Sequence, residues 1–89
     1  MIMDGDFVEG YIQCDYVAHC FYINGVLLKP YTRLAIREGD RWIQTTLLLS
    51  NGNNQNASVT IDQYYLQGTW YYGQYLDNLY AKAFIPRKK

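Results

Sequence analysis

The residues of this chain that could carry out chemistry are few, and their spacing assembles no recognisable site. His19 is the only histidine; Cys20 follows it directly and Cys14 precedes it on the same stretch of chain. A structural zinc site needs four ligands and usually contains a Cys-x₂-Cys or similar pair, which this sequence lacks. If the segment is one strand, His19 and Cys20 also point to opposite faces of it. We therefore predict no metal site and interpret these residues as structural.

The other combinations that enzymes use are equally incomplete. Nucleophilic catalysis would need His19 as the base and one of the two cysteines as the nucleophile, and nothing in the local sequence favours that arrangement. The paired carboxylates Glu38 and Asp40 lie at a turn, whereas Asp4 and Asp6 lie at the terminus, so neither pair has the shielded pocket that a general acid needs. The glycines are scattered and form no phosphate-binding loop. We predict no enzyme activity and no cofactor.

The composition narrows the fold and the partners. With 89 residues the chain is predicted to form a single domain, residues 1–89. Ten tyrosines favour half-buried pleated surfaces and thus a β protein. The formal charge of zero removes the simplest electrostatic argument for nucleic acid or an anionic membrane. The only basic run, Arg87-Lys88-Lys89, is interpreted as a solvated tail.

The expected compartment follows from the start of the chain and from its cysteines. The opening Met-Ile-Met-Asp-Gly-Asp lacks a basic region followed by an apolar stretch, so we predict no signal peptide. No apolar run reaches the length of a membrane span. We expect a cytoplasmic, reduced protein in which Cys14 and Cys20 behave as small core residues, with a disulfide between them as the alternative.

Two hairpins organise the predicted β structure. Residues 34–49 contain the clearest alternation, fold back at Glu38-Gly39-Asp40, and include Trp42, so we place the centre of the core there. Asn24-Gly25 lies between two apolar runs and predicts a tight turn, because both residues accept positive φ. That turn would pair Ile23 with Val26 and Phe21 with Leu28.

The remaining segments predict further short strands with turns between them. Residues 57–66 and 80–85 read as strands, short strands are expected around the glycines of residues 64–73, and residues 76–79 would form one helical turn. Residues 1–6 are predicted to be frayed, 50–56 to be a mobile loop and 86–89 to be a basic tail. Strands at such spacing predict an all-β fold, a small SH3-like or related barrel of five to seven antiparallel strands.

Three segments resemble a small family of uncharacterised domains from Firmicutes and their phages and mobile elements. They read Leu-Lys-Pro-Tyr-Thr-Arg-Leu-Ala-Ile at 28–36, Asp-Arg-Trp-Ile-Gln-Thr-Thr-Leu at 40–47 and Tyr-Tyr-Leu-Gln-Gly at 64–68. The chain departs from the family by having Lys29-Pro30-Tyr31 where His-Cys-Gly is usual. The resemblance implies a small β domain in a mobile-element context, acting as an accessory protein or an inhibitor of a host factor, and it implies no catalytic residues.

The tyrosines carry the functional prediction. Adjacent residues on a strand point to opposite faces, so one ring of each pair, Tyr64-Tyr65 and Tyr71-Tyr72, should face outward in a thin barrel. Tyrosine-rich patches are typical of protein interfaces. We predict a protein-binding surface, and self-association into a homodimer as one form of it, at Tyr64, Tyr65, Trp70, Tyr71, Tyr72 and Tyr75.

Nucleic-acid or nucleotide binding is the alternative function. It would combine aromatic stacking with Arg33, Arg37 and Arg41, which flank the central hairpin and could share a face.

Overall fold

The computed structural model describes residues 5–50 and 59–86 of the chain. Within these ranges, seven antiparallel strands form one curled sheet, a half-barrel, and the two helices are short 3₁₀ turns, Ile61–Gln63 and Gly73–Leu76. The predicted all-β class and the small barrel-like architecture are therefore confirmed. The strands are β1 (Gly5–Asp15), β2 (Cys20–Ile23), β3 (Val26–Leu28), β4 (Arg33–Glu38), β5 (Arg41–Leu49), β6 (Tyr64–Leu66) and β7 (Tyr80–Pro86).

The order of the strands in the sheet is β3-β2-β1-β7-β4-β5-β6. The first and last of these strands in sequence are thus neighbours near the middle of the sheet, in a register that runs from Gly5 opposite Pro86 to Tyr11 opposite Tyr80. On its other side β7 pairs with β4. The long-range pairing of β1 with β7 therefore joins the arm formed by β2 and β3 to the arm formed by β4, β5 and β6.

Strand β1 changes its main partner along its length, which allows the sheet to curl. Residues 5–11 pair with β7, whereas residues 12–15 pair with β2. Gly10 lies just before this change, and a β-carbon there would lie 2.9 Å from the amide nitrogen of Asn24. That amide donates a hydrogen bond of 2.7 Å to the carbonyl oxygen of Glu9. The absence of a side chain at Gly10 thus lets the β2–β3 turn contact the backbone of β1.

Both predicted hairpin turns are confirmed. Asn24 and Gly25 have φ values of 50° and 80°, and the ladder pairs Ile23 with Val26 and Phe21 with Leu28. The second turn places Glu38 opposite Arg41, with Gly39 at a φ of 64°. Glycine and asparagine tolerate such positive φ values, so local residue chemistry determines both hairpins.

The core lies on the concave face, where the two ends of the sheet approach each other. Phe21 of β2 meets Tyr64 of β6 with ring centroids 5.2 Å apart and an angle of 87° between the ring planes. Four strands separate β2 from β6 in the sheet order, so this contact requires the sheet to curl around the core. The buried cluster consists of Ile12, Phe21, Ile23, Leu28, Leu34, Ile36, Leu47, Ile61, Tyr64, Leu66, Leu76, Ala81 and Ala83.

The expectation that Trp42 belongs to the centre of the core is wrong. Trp42 is half-buried and lies in register with Arg37, whereas the core residues Leu34 and Ile36 occupy the alternate positions of β4. The pleat therefore directs Trp42 to the outer face of the hairpin. Leu34, Ile36 and Leu47 of the same segment do lie in the core.

The segment before β6 is mostly not the strand that the sequence predicted. Of the part that the structure describes, Val59 and Thr60 have no regular structure, Ile61–Gln63 is a 3₁₀ turn, and only Tyr64–Leu66 is a strand. The side chain of Gln63 accepts a 2.9 Å hydrogen bond from the backbone of Thr60, which stabilises the turn. The turn buries Ile61 without requiring a strand.

Other expected boundaries also shift. Gly5 and Asp6 already pair with β7, so β1 begins inside the segment expected to be frayed, and Pro86 is the last residue of β7. The helical turn expected at residues 76–79 lies at Gly73–Leu76. Ser50 donates a 2.8 Å hydrogen bond to the carbonyl of Gln63. The predictions for residues 1–4, 51–56 and 87–89 lie outside the described residues.

Replacing Phe21 with leucine tests whether the contact between the two ends of the sheet stabilises the fold. We expect Phe21→Leu to lower the free energy of unfolding by about 1–2 kcal/mol, because leucine leaves part of the ring volume empty and removes the edge-to-face contact with Tyr64. Urea denaturation measures the change. Phe7→Leu, in a ring that is 70% exposed, is the matched control and should change stability by about 0.5 kcal/mol or less. Equal losses in the two variants would contradict this role of Phe21.

Candidate functional site

Four of the predicted surface residues come together after β6. Trp70, Tyr71, Tyr72 and Tyr75 form what we call the aromatic cluster. The rings of Trp70 and Tyr71 stack with centroids 4.3 Å apart, Trp70 meets Tyr75 at 6.0 Å, and Tyr72 meets Tyr75 at 5.3 Å. The exposed fractions are 66% for Trp70, 52% for Tyr72 and 46% for Tyr75. The cluster is therefore a contiguous aromatic surface and not a set of isolated rings.

Short-range hydrogen bonds hold the backbone of the aromatic cluster. The carbonyl of Leu66 accepts bonds from the backbone and the hydroxyl of Thr69, at 3.1 and 2.8 Å. The backbone of Tyr71 donates to the Thr69 hydroxyl, and its carbonyl accepts a 3.0 Å bond from Leu66. Gly68 provides the positive φ, 76°, that this reversal needs. The 3₁₀ turn Gly73–Leu76 then returns Tyr75 to the other rings.

The other two residues of the predicted surface have different environments. Tyr64 is only 6% exposed and packs against Phe21 in the core, so it is not available to a partner. Tyr65 is half-buried and forms an isolated β-bridge with Tyr72. The opposite directions of Tyr64 and Tyr65 agree with the alternation expected of adjacent strand residues.

Tyr71 connects the aromatic cluster to the turn between β4 and β5. Its hydroxyl donates a 3.3 Å hydrogen bond to Oε2 of Glu38, and its ring packs against the core. Burial raises the pKa of the Tyr71 phenol, and the negative charge of Glu38 and the hydrogen bond raise it further. Tyr71 is thus the anchor of the cluster, while Trp70, Tyr72 and Tyr75 are its exposed members.

The three arginines of the alternative prediction are exposed but do not share a face. Arg33 and Arg37 occupy alternate positions of β4 and therefore point to the same side, together with Trp42 across the ladder. Arg41 lies opposite Glu38, on the other side of the hairpin. The register of the turn therefore keeps Arg41 off the face that Arg33 and Arg37 share.

A second surface, which the sequence prediction missed, lies on the convex side of the sheet. We call it the outer face: the outward positions of β1, β7, β4 and β5. Trp42 lies under two cations there, with Cζ of Arg37 5.3 Å and Nζ of Lys82 4.7 Å from its ring centroid. Phe7 and Phe84 meet edge to face at 5.4 Å. The alternation within β1 and β7 was visible in the sequence, but the pairing of these two distant strands was not.

Tyr80 completes the aromatic row on the outer face. Its ring is 5.0 Å from that of Tyr11 and 6.2 Å from that of Trp42, measured between centroids. Its hydroxyl donates a 2.6 Å hydrogen bond to Glu9, and this bond is the main reason that the pKa of Tyr80 is raised. Glu9 is thereby engaged within the face.

Two hollows flank Arg33 and Phe84, which line both of them. One, of about 360 Å³, lies between the loop that contains Lys29 and Tyr31 and the end of β7. The other, of about 510 Å³, lies on the outer face over Ala35. Among the described residues, neither hollow is lined by an aspartate or a glutamate.

The potentially reactive residues do not assemble in the part of the chain that the structure describes. No group of three or more histidine, cysteine or acidic residues there is placed to hold a metal ion. Cys14 and Cys20 are both free thiols, so the alternative disulfide is not formed. Burial is the largest of the effects that raise the pKa of the Cys14 thiol, the opposite of what activates a nucleophilic cysteine.

Comparisons with known proteins add no functional assignment. No protein-family model, no curated protein and no solved structure matches the chain. Across residues 5–50 and 59–86, none of the helices has the length and apolar character needed to cross a membrane. The function must therefore be inferred from the chemistry of the two surfaces.

Removing the charge of Glu38 tests its contact with Tyr71. We expect Glu38→Gln to lower the pKa of Tyr71 towards the ordinary value of about 10, and only partly, because burial is the larger cause and stays in place. Site-resolved NMR titration of the tyrosine ring carbons measures the shift, and Asp40→Asn in the same turn is the control that should not change it. An unchanged pKa in Glu38→Gln would contradict the contact.

The raised pKa of Tyr71 also determines how its phenol makes the stability of the fold depend on pH. A phenol whose pKa is higher in the folded state than in the unfolded chain favours folding in its protonated form. This contribution is fully present below about pH 10 and is lost as the pH rises through the pKa of the folded state. Tyr71→Phe should therefore lose part of the pH dependence of stability above about pH 10, and none of it near neutrality.

Proposed function

We propose that the chain is a non-enzymatic binding module, that its aromatic cluster binds protein, and that its partner is a second copy of the chain. The observation that supports this proposal is that Trp70, Tyr72 and Tyr75 are exposed and contact one another on a hydrogen-bonded turn. Exposed rings in contact form a continuous apolar area, whereas scattered ones are common on any protein surface.

The residue types of the cluster suit a protein interface. Tyrosine and tryptophan bring large contact areas and have only two side-chain torsions to order, so the entropic cost of binding is low. Their polar groups can form hydrogen bonds at the rim of a contact. The anchoring of Tyr71 by Glu38 and the bonds around Thr69 pre-organise the cluster, which reduces the cost further.

The chemistry of the cluster favours a copy of itself as the partner. None of its four side chains carries a charge at neutral pH, and the chain as a whole has a formal charge of zero, so two copies do not repel each other. Edge-to-face contacts, as between Tyr72 and Tyr75, can be repeated between identical aromatic surfaces. A two-fold dimer brings the same patch of each copy together. The accessory or inhibitory role that the resemblance implies would use the same cluster.

The alternative function, nucleic-acid binding through three arginines on one face, loses Arg41 because of the hairpin register. Arg33 and Arg37 remain together on the outer face, at a distance from the aromatic cluster in sequence and on different elements. They are therefore treated below with the other residues of that face.

Replacing one exposed ring tests self-association. We expect the wild-type chain to convert from monomer to dimer with rising concentration, and Tyr72→Ala or Trp70→Ala to weaken the dimer by about tenfold or more, as removal of a central aromatic side chain does. Light scattering coupled to size-exclusion chromatography over a concentration series measures the mass. The matched control is Tyr16→Ala, whose ring is 55% exposed but lies outside the cluster.

Two outcomes contradict the proposal. A wild-type chain that remains monomeric up to about 1 mM would rule out a dimer of useful affinity. A loss in Tyr16→Ala as large as that in Tyr72→Ala would show that the dimer forms elsewhere.

A further inference from the structure

The outer face has an uneven distribution of charge. Arg33, Arg37 and Lys82 lie on it, and among the described residues of its four strands two carboxylates, Asp15 and Glu9, occupy outward positions. Asp15 lies at the end of β1 that pairs with β2, and Glu9 is the cross-strand neighbour of Lys82. The hydroxyl of Tyr80 donates to Glu9. Arg37 donates a 3.0 Å hydrogen bond to the carbonyl oxygen of Gly39, and both Arg37 and Lys82 lie over the ring of Trp42.

Several carboxylates other than Glu9 form local hydrogen bonds. Asp15 accepts hydrogen bonds of 3.0 Å from two backbone nitrogens of the turn that follows it. Asp77 accepts one of 2.9 Å from the backbone of Cys14. Glu38 accepts the hydroxyl of Tyr71. A formal charge of zero for the whole chain therefore coexists with a basic outer face.

The cations follow a continuous path. Lys29 lines the first hollow, Arg33 lines both hollows, and Lys82 lines the second and also lies over Trp42 next to Arg37. Arg33 and Arg37 are four residues apart on β4, which corresponds to about 13 Å at the rise of a β-strand. The path is thus long enough to contact several units of an extended polyanion.

Apolar rings accompany this path. Phe84 lines both hollows, and Phe7 and Tyr31, each 70% exposed, border one hollow each. Gly5 makes room for this arrangement, because a β-carbon at that position would clash with the ring of Phe84. Trp42 has a different role: cation–π contacts with its ring hold Arg37 and Lys82 in position.

We propose that the outer face, with the hollow on it and the adjoining hollow beside Lys29, binds single-stranded nucleic acid. Lys29, Arg33, Lys82 and Arg37 contact the phosphates, and unstacked bases lie against the rings of Phe84, Phe7 and Tyr31. A basic groove with exposed rings is the arrangement with which sheet-based single-strand binders work, since every base has a π-face and every linkage has a charge. This site shares no residue with the aromatic cluster and does not depend on self-association.

The exposed aromatic rings favour single-stranded nucleic acid over other polyanions as the ligand. An acidic peptide or an anionic membrane surface would satisfy the cations but has no flat π-system to lie against Phe84 and Phe7. A duplex has its bases stacked internally, so it would also use the cations alone. A single strand can contact both the cations and the aromatic rings of the face. The experiment therefore compares single strands with a duplex and with an acidic peptide.

Fluorescence anisotropy of labelled ten-nucleotide oligothymidylate and oligouridylate tests the proposal, starting at low salt. We expect both single strands to bind, a duplex of equal length to bind more weakly, and poly-glutamate to compete poorly. With four phosphate contacts the logarithm of affinity should fall against that of salt concentration with a slope of about −3. A higher affinity for the uridylate would indicate that the face also contacts the 2′-hydroxyl.

The variants form pairs matched in charge. Arg33→Gln should weaken binding and reduce the salt slope by about 0.7, whereas Arg41→Gln, on the opposite face of the same hairpin, should leave both unchanged. Phe84→Leu should weaken binding about five- to a hundredfold through lost stacking. Phe7→Leu provides the same test in a more exposed ring, if Phe84→Leu does not fold. Tyr72→Ala should bind like the wild type, which separates this site from the proposed dimer surface.

Three results would overturn the proposal. The first is that neither single strand binds at low salt. The second is that Arg33→Gln and Arg41→Gln lose affinity equally, which would make the binding a general effect of charge, including that of the unchanged Arg87-Lys88-Lys89 run. The third is that a duplex or poly-glutamate binds as tightly as the single strands, which would show that the aromatic rings do not contribute to binding.

Discussion

The register between β1 and β7 determines which side chains meet on each face of the sheet. It places Gly10 opposite Ala81 and Val8 opposite Ala83 on the concave side. On the convex side the same ladder puts Phe7 opposite Phe84 and Tyr11 opposite Tyr80. A slip of one residue would exchange the two sets, because the side-chain period of a strand is two. The core and the outer face therefore depend on the same set of backbone hydrogen bonds.

The central strands carry small residues on the concave face and large aromatic residues on the convex face, as the curl of the sheet requires. When a sheet curls around a core, its concave face has less room than its convex face, so small residues are favoured on the concave side of the central strands. Ala81 and Ala83 are fully buried there, which leaves space for Phe21 and Tyr64 to meet across the core. The large rings of the central strands are consequently on the outside. The curl of the sheet is thus sufficient to explain why these aromatic side chains are exposed. Exposure alone therefore does not indicate function, whereas contact with neighbouring cations and hollows does.

The sequence predicted the features that depend on neighbouring residues. The Asn24-Gly25 turn and the Glu38-Gly39-Asp40 turn follow from positive φ and from alternation on either side, and their registers were correct. Ile61 was misassigned, because a buried residue in a 3₁₀ turn and one in a short strand give the same apolar signal, and the deciding bond comes from the side chain of Gln63.

The candidate sites were predictable to a similar extent. Trp70, Tyr71, Tyr72 and Tyr75 lie within six consecutive positions, so their association needed little more than a turn at Gly68. Tyr64 could not be separated from them, because its burial depends on Phe21, a residue from the other end of the sheet. The outer face was out of reach for the same reason: its two phenylalanines come from β1 and β7. Arg41 could have been excluded, since a two-residue turn places it opposite Glu38.

Net charge was the least informative property of the sequence. A sum of zero includes carboxylates that accept hydrogen bonds from the backbone, as Asp15 and Asp77 do, and that therefore serve the fold. The cations Arg33 and Lys82 meet at one place because β4 and β7 are neighbours. A ligand responds to the local field within about a Debye length, roughly 8–10 Å at physiological salt, and not to the sum over the chain. The topology of a neutral protein can thus create a basic surface that its composition conceals.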